Sequence, residues 1–374
     1  MNIGPVVRKE FRQILRDKRA LGILIFIPAF LLVLVGYALN FDVKHLRLAV
    51  YDEDKTRTSR EFVASFVHSE YFTLNYVLRN KDEVDNVLND GTAHIALIIP
   101  RDFSRNLLSG KETTVQVFID GSNNNTASVA SGYIAAGIQN YSRSILMQTI
   151  EKRGLALAVP IDVRPKLWYN PELKTTKYLV PGLFGLILMI VTAISTSLSV
   201  VREKELGTME QLKTSPLKSY EIILGKAIPY VFIALLAATL IIVLGAILFD
   251  VRVQGSVLLL YSAIFIFLLA GLGQGLLISS IAQTQQVAFF ASVFSSLLPA
   301  FLLSGFIFPI KSMPLFLQII SNVQATKFFL VIVRSVILKG VGIGAVWDQF
   351  IYLFLFAAVT IGISSVRLQR ELSA

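Results

Sequence analysis

No cysteine occurs in the 374 residues, which excludes disulfides, thiolate metal ligands and thiol nucleophiles and leaves the redox compartment open. Charge is scarce as well. Only 16% of the residues are Asp, Glu, Lys or Arg and 54% are hydrophobic, whereas roughly a quarter of a soluble domain is charged. With a mean hydropathy of +0.64, that deficit points to an integral membrane protein. Histidine is limited to His45, His68 and His94. None sits at ligand spacing from another, which argues against a metal centre and for surface or packed rings. "DGSNNN" from Asp120 lacks the spacing and distal Glu of a calcium loop and reads as a turn plus N-cap. No G-x-S-x-G, H-E-x-x-H or credible triad is present, so no catalytic residue is assigned. The G-x-x-x-x-G-K-[ST] phosphate loop is missing too. "LGK" at 224–226 has neither its upstream glycine nor its following hydroxyl.

What is present is apolar length. A run of roughly 18 or more apolar residues can cross the hydrocarbon core as a helix. Six spans are expected: Ala20–Asn40, Leu179–Val201, Ala227–Phe249, 257–281, 287–308 and 349–366. "AQTQQ" at 282–286 divides a stretch, Val253 to Ile310, that holds no Asp, Glu, Lys, Arg or His. The first run follows a basic segment but is too long for a signal peptide, so it reads as a retained anchor. A net charge of +10 raises nucleic acid as a partner, but Arg8, Lys9, Arg12, Arg16, Lys18 and Arg19 crowd against an apolar run. That placement suits an anionic lipid bilayer, and no nucleic-acid partner is expected.

The basic N-terminal arm, the five Lys or Arg from Arg202 to Lys226, and the pair Arg367 and Arg370 all fall on one side of six spans. The positive-inside rule assigns that side, with both termini, to the cytoplasm. Lys311, Lys327, Arg334 and Lys339 then lie opposite, against the rule. A half-buried or re-entrant segment over about 311–345, in which cations snorkel or line a cavity, accounts for them. In the arm, Val7, Phe11, Ile14 and Leu15 recur at helical spacing while Arg8, Arg12, Arg16 and Arg19 take other faces. This predicts an amphipathic helix on the inner leaflet.

The expected fold is an α-helical membrane protein with six transmembrane helices and an inserted external α/β domain. Residues 1–40 hold the interfacial helix and first span, 41–177 the external (periplasmic) domain, and 178–374 the remaining spans. In the inserted domain, the β-type runs "LRLAVYD", "FTLNYVL", "HIALIIP" and "TVQVFID" alternate with polar helical stretches, the pattern of an α/β domain. The six apolar cores contain no acid, whereas proton- or sodium-coupled carriers commonly place ionisable groups there. Small polar residues recur by face: Thr192, Ser195, Thr196 and Ser199; Ser292, Ser295 and Ser296; and a Gly271, Gly275, Ser279 ladder. Two readings stand. One is helix packing, with hydroxyls bonded to their own backbone. The other is a substrate path lined by Thr192, Ser195, Ser199, Gln274, Ser292, Ser295 and Ser296, with Gln274 its most polar member.

Between spans two and three runs "VREKELGTMEQLKTSP", residues 201–216. Thr208 and Gln211 form a capping box, Gly207 permits a sharp reversal, and Pro216 stops the helix. The result is a short helix, Met209 to Thr214, with Met209 and Leu212 on one face for a partner; a solvated elbow is the alternative. This segment, followed by "EIILGKAIPY", resembles the cytoplasmic coupling segment of ABC-2 type transporter permeases. The family pattern is roughly R-E-x-E-x-G-T-x-E-Q-L-x-x-(S/T)-P and then G-K-x-x-P. Arg202, Glu203, Glu205, Gly207, Thr208, Glu210, Gln211, Leu212, Pro216, Gly225, Lys226 and Pro229 match it.

The resemblance covers nearly the whole chain. "RKEFRQILRDKRAL" is similar to the family's interfacial helix, "WYNPELKTTKYLVPG" to the external domain of its multidrug-efflux-type branch, and "SGFIFPIKSMP" and "VRSVILKG" to its fifth span and re-entrant helices. Where many relatives carry a proline, this chain has Gln324 or Ala325. The resemblance implies a non-catalytic permease that exports drugs or other amphipathic molecules across the bacterial inner membrane. ATP and Mg would be bound by a separate ABC ATP-binding subunit, with no cofactor in this chain. Arg202, Glu203, Glu205, Gly207, Thr208, Met209, Glu210, Gln211 and Leu212 would meet that ATPase. It also implies a second permease, the same chain or a paralogue, and a periplasmic adaptor as a further partner. The competing reading is a membrane-anchored scaffold or sensor whose external domain binds a ligand or partner without transport.

Overall fold

The computed structural model describes residues 3–38, 45–152, 168–170, 174–208 and 219–373. Contacts divide the chain into two units: Phe41–Pro165, and Met1–Asn40 together with Lys166–Ala374. The second unit begins with helices α1 (Ile3–Arg16) and α2 (Lys18–Ala38).

The inserted unit follows as β1 (Leu46–Asp52), α3 (Arg57–Val67), β2 (Phe72–Val77), α4 (Glu83–Asn89), β3 (Ile95–Ile99), α5 (Phe103–Leu108), β4 (Gln116–Ile119) and α6 (Asn124–Lys152). Its sheet has the order β2-β1-β3-β4, with β1 parallel to β2 and β3, and β3 antiparallel to β4. The β3 run "IALII" is buried at every position, as expected of a strand covered on both faces. Leu46, Leu48 and Val50 of β1 pack with Phe62 and Phe66 of α3 and Ile134 of α6. Ala49, on the other face, packs with Val84 and Val87 of α4. Thr56 and Ser59 exchange backbone-to-side-chain hydrogen bonds at the start of α3, a capping box that fixes where it begins. All four predicted strands are present.

The rest of the helical unit comprises α7 (Thr175–Glu205), α8 (Ser219–Phe249), α9 (Val257–Ser279), α10 (Gln285–Leu303), α11 (Leu315–Ile320), α12 (Ala325–Lys339) and α13 (Trp347–Ser373). Five of its helices are long and apolar enough to cross a membrane: α7, Leu224–Phe249 of α8, α9, α10, and Trp347–Arg367 of α13. In α2, the apolar stretch Leu24–Ala38 is shorter. The chain is thus a helical membrane protein with a small sheet region. α7 is the central helix, packed against α2, α8, α9, α10 and α12. It meets α9 backbone to backbone at Gly275, where a Cβ would lie 2.6 Å from the Ala193 carbonyl oxygen. The predicted small-residue ladder is a packing surface there.

Three expectations shift. The boundary at 177 falls inside α7. That helix runs on through the charged stretch to Glu205, so residues 202–205 extend the second span beyond its expected end at Val201. The fifth span, expected to reach 308, stops at Leu303 as a helix, because Gly305 turns the chain at φ +78°. In α1, which forms as expected, Val6, Glu10 and Ile14 are buried, Val7 and Phe11 are half-buried and Leu15 is 59% exposed. Near 311–345 the chain does bend sharply: Leu315–Val323 and Ala325–Lys339 meet at 87°. Gln324, at φ −118° and ψ 111°, is the hinge.

Candidate functional site

Four consecutive charged residues close α7, and each meets a different part of the bundle. The Arg202 guanidinium lies 3.9 Å from the Asp17 carboxylate, between α1 and α2. The Lys204 ammonium donates to the Ser279 carbonyl at the end of α9, at 2.7 Å. Glu205 accepts the backbone N–H of Gln285 at 2.7 Å and also the Gln285 side-chain amide. One charge thereby satisfies a free carbonyl at a helix C-terminus, and the next a free N–H at a helix N-terminus.

Glu203 is the buried member. Its Oε1 accepts from Lys9 Nζ at 2.6 Å, and its Oε2 lies 2.7 Å from Lys226 Nζ of α8. The Oε2 contact is ionic rather than an aligned hydrogen bond. Glu10 completes the set, accepting from both Lys9 and Lys226 at 3.0 Å. Glu10, Glu203 and Lys226 are all buried. Two acids and two bases cancel, which is the condition under which charges persist away from water. Partial burial works to lower the Lys9 pKa, but hydrogen bonds from Glu203 and Glu10 outweigh it and raise it.

After Glu205 the helix ends by hydrogen bonds from Leu206 N–H to Arg202 O and from Gly207 N–H to Lys204 O, both 3.1 Å. Gly207 has φ +68°, the left-handed turn that glycine adopts at little strain. The Thr208 hydroxyl donates back to Glu203 O at 3.3 Å.

At the other end of α7, Arg334 of α12 donates to Gly305 O at 2.9 Å and Phe306 O at 3.0 Å. Its guanidinium carbon stands 3.8 Å from the centroid of the Tyr178 ring. A cavity of about 1080 Å³ lies among α9, α10, α12 and α13. Gln274 and Ser295 line it, and Gln274 Nε2 donates to both Ser295 and Ser296 at 3.1 Å.

Residues 18–366 match the model of the ABC-2 family transporter protein. The chain belongs to the ABC-2 transporter family. Among similar proteins, "Probable multidrug ABC transporter permease YbhR" of Escherichia coli (strain K12) is 33% identical over 358 residues, covering 96% of this chain and 95% of the relative. "Probable multidrug ABC transporter permease YbhS" of the same strain is 32% identical over 365 residues, 97% and 96% of the two chains. "Inner membrane transport permease YhhJ" of that strain is 25% identical over 380 residues, 99% and 98%. As an ABC-2 permease the chain is a non-catalytic transmembrane subunit, and ATP hydrolysis resides in an ABC ATP-binding partner.

The permease places its predicted site residues in three groups. Arg202, Glu203 and Glu205 have their charges engaged within the chain, Glu203 most completely, whereas the sequence assigns all three to the ATPase. Only Glu203 is buried by these contacts; Arg202 and Glu205 stay exposed. Gly207 and Thr208 form the turn, and Met209, Glu210, Gln211 and Leu212 lie outside the described residues. Of the predicted path, Gln274 and Ser295 face the cavity and Ser296 adjoins it. Ser292 is instead bonded to Ser197 at 2.7 Å inside the α7–α10 contact. Thr192 and Ser195 bond their own backbones at Leu188 and Val191, and Ser199 pairs with Tyr230. Those four read as packing. Sequence reasoning missed the Glu10–Lys226 pair, although an acid between Val6 and Ile14 at i, i+4 spacing was its signal.

Proposed function

We propose that this permease is the membrane-spanning subunit of an ATP-driven exporter of drugs or other amphipathic small molecules in the bacterial inner membrane. Both termini are cytoplasmic, α2 is the first of six spans, the bent α11–α12 pair is re-entrant, and the Phe41–Pro165 unit is periplasmic. The short helix beyond Gly207 docks through Met209, Glu210, Gln211 and Leu212 into the ATP-binding subunit, which holds ATP and Mg; this chain holds no cofactor. Two permeases, identical or paralogous, work with two ATPases, and a periplasmic adaptor is a further partner. The cavity walled by Gln274 and Ser295 is the substrate path.

One observation carries this reading. The residues immediately before Gly207 bond to α1, α8, α9 and α10 and to the α1–α2 junction. A force applied beyond the turn reaches most of the bundle through a single helix end. The relatives' names, which specify multidrug and inner membrane transport, supply the substrate class and the membrane. The test is co-purification of tagged permease with its cognate ATPase. The double variant Met209→Asp, Glu210→Lys should lose the ATPase while its thermal midpoint stays at the parent value. Retention of the ATPase by that variant would sink the docking assignment. A parent chain that inserts but never holds an ATPase would favour the scaffold or sensor.

A further inference from the structure

The cavity among α9, α10, α12 and α13 is of ligand-site size, near the upper end of the ~300–1,000 Å³ range. Its charge is one-sided. Lys327 is the single charged side chain among its lining residues, and none of them is acidic. Lys327 Nζ donates to Ser321 Oγ at 2.9 Å and Asn322 Oδ1 at 2.7 Å, two neutral acceptors. An ammonium carries three N–H donors, so these two bonds leave one over. The acid adjacent to the wall, Asp348, accepts from Gln349 Nε2 at 2.7 Å and does not line the cavity. Lys327 is half-buried and stands 5.7 Å from the centroid of the Phe328 ring, so an anion brought beside it would supply the opposite charge that no lining residue provides.

The cavity carries its charge at one end, and along the rest of its length apolar residues predominate, with Gln274, Ser295 and Thr360 as neutral polar members. Asn322, Gln324 and Gln349 line it together with Lys327. Fourteen residues further along α13 from Gln349, a rise of about 21 Å at 1.5 Å per residue, the wall has passed through Leu355 and Val359 to Ile363.

We propose that this cavity takes amphipathic molecules with an anionic head group, such as a carboxylate or phosphate ester, on an apolar body. The head pairs with Lys327 and the body lies along Leu355, Val359 and Ile363. A cationic amphiphile would set like charge against Lys327 with no lining acid to offset it. The proposal rests on the reading of this cavity as an exporter's substrate path and narrows it.

The experiment uses the full permease in phosphatidylcholine nanodiscs with two probes, dansyl-undecanoic acid and its trimethylammonium counterpart. The acid should bind about tenfold tighter. Lys327→Arg should keep that preference, Lys327→Gln should abolish it and Lys327→Glu should invert it. Gln349→Lys, which adds a cation at the same end, should tighten the acid further and serves if Lys327→Glu fails to insert. Equal binding of the two probes, or an acid preference that survives Lys327→Glu, overturns the proposal. Displacement of the acid by added phosphatidylglycerol would identify bilayer lipid as the source of the anionic head group; retention would identify a free amphiphile. If the acid binds as stated yet leaves ATP hydrolysis by the assembled permease–ATPase complex unchanged, the exporter reading falls while the anion site stands.

Discussion

The two ends of α7 hold their neighbours by opposite means. At the Glu205 end, charge meets charge: Glu203 and Glu10 neutralise Lys9 and Lys226 inside the bundle. At the Thr175 end the Arg334 guanidinium meets dipoles, the carbonyls of Gly305 and Phe306 and the face of Tyr178, and the ion pair there, Lys177 with Asp250 at 3.6 Å, has its acid exposed. The difference lies in what a single deletion leaves behind. Losing one acid from the quartet strands a buried cation, whereas losing Arg334 leaves two carbonyls short of a donor. The first end is therefore the more brittle, and it is the end that adjoins the Gly207 turn.

The largest effect should come from Glu203→Gln, which leaves two lysines to share Glu10. Breaking a buried ion pair costs ~3–5 kcal/mol, read as a lower thermal midpoint of the detergent-purified permease. The combined Glu203→Leu, Lys226→Met variant removes charge in balance and should regain most of that loss. A Glu203→Gln protein as stable as its parent would erase the contrast between the two ends. Next in size is Arg334→Lys. It keeps the charge but not the fork that spans two carbonyls, and the cost should be ~1.5–3 kcal/mol by the same measurement. If Arg334→Lys proved the more damaging of the two, the dipole-met end would be the brittle one.

How much of this was legible in the sequence depends on distance along the chain. The strands of the inserted unit and the apolar helices follow from local periodicity, so "LRLAVYD" is recovered as Leu46–Asp52 to the residue. Gly207 as a turn is legible because only local backbone geometry is at stake. The partners of Glu203 were not, because Lys9 lies 194 residues from it and Lys226 packs from a separate helix. A sequence motif shows that the charges are needed, not which way they face. The same holds for hydroxyls: Ser292 and Ser295 share one helical face by spacing, yet one seals a helix contact and the other borders a cavity.

Gly207→Val tests whether the brittle end also transmits. Forcing a β-branched residue to φ +68° should cost ~1–2 kcal/mol, less than Glu203→Gln because no buried charge is uncovered. Asn, which tolerates the left-handed region, should cost a fraction of that. The informative readout is drug-stimulated ATP hydrolysis by the assembled complex. It should fall in Gly207→Val more steeply than in an Arg334→Lys protein of lower stability. Equal loss of coupling in both would mean that stability alone, rather than the turn beside the quartet, governs it.

The smallest effect extends the comparison to a cation faced by its own sign. In the inserted unit the His94 ring accepts the Arg47 backbone N–H at Nδ1, 3.2 Å, and the Arg47 guanidinium lies 3.0 Å from Nε2. Burial, and then the Arg47 charge, pull its pKa below the ordinary 6.5, with Asp120 acting weakly the other way. The unfolded chain therefore takes up this proton at a higher pH than the folded one. The contribution of His94 is complete above pH 6.5 and is lost as pH falls through the depressed folded value. Between pH ~7.5 and ~5, Lys9, whose burial is outweighed by the acid partners that raise it, and Glu203, whose burial is outweighed by Lys226 and Lys9, both keep their charges. The thermal midpoint of the parent should thus drop relative to His94→Gln by about 1–2 °C over that interval, with no matching change when Glu203→Gln is compared with the parent. A parent and a His94→Gln protein whose midpoints move in parallel would show that like charge at this site is fully screened by solvent, and would confine the energetic contrast to the two ends of α7.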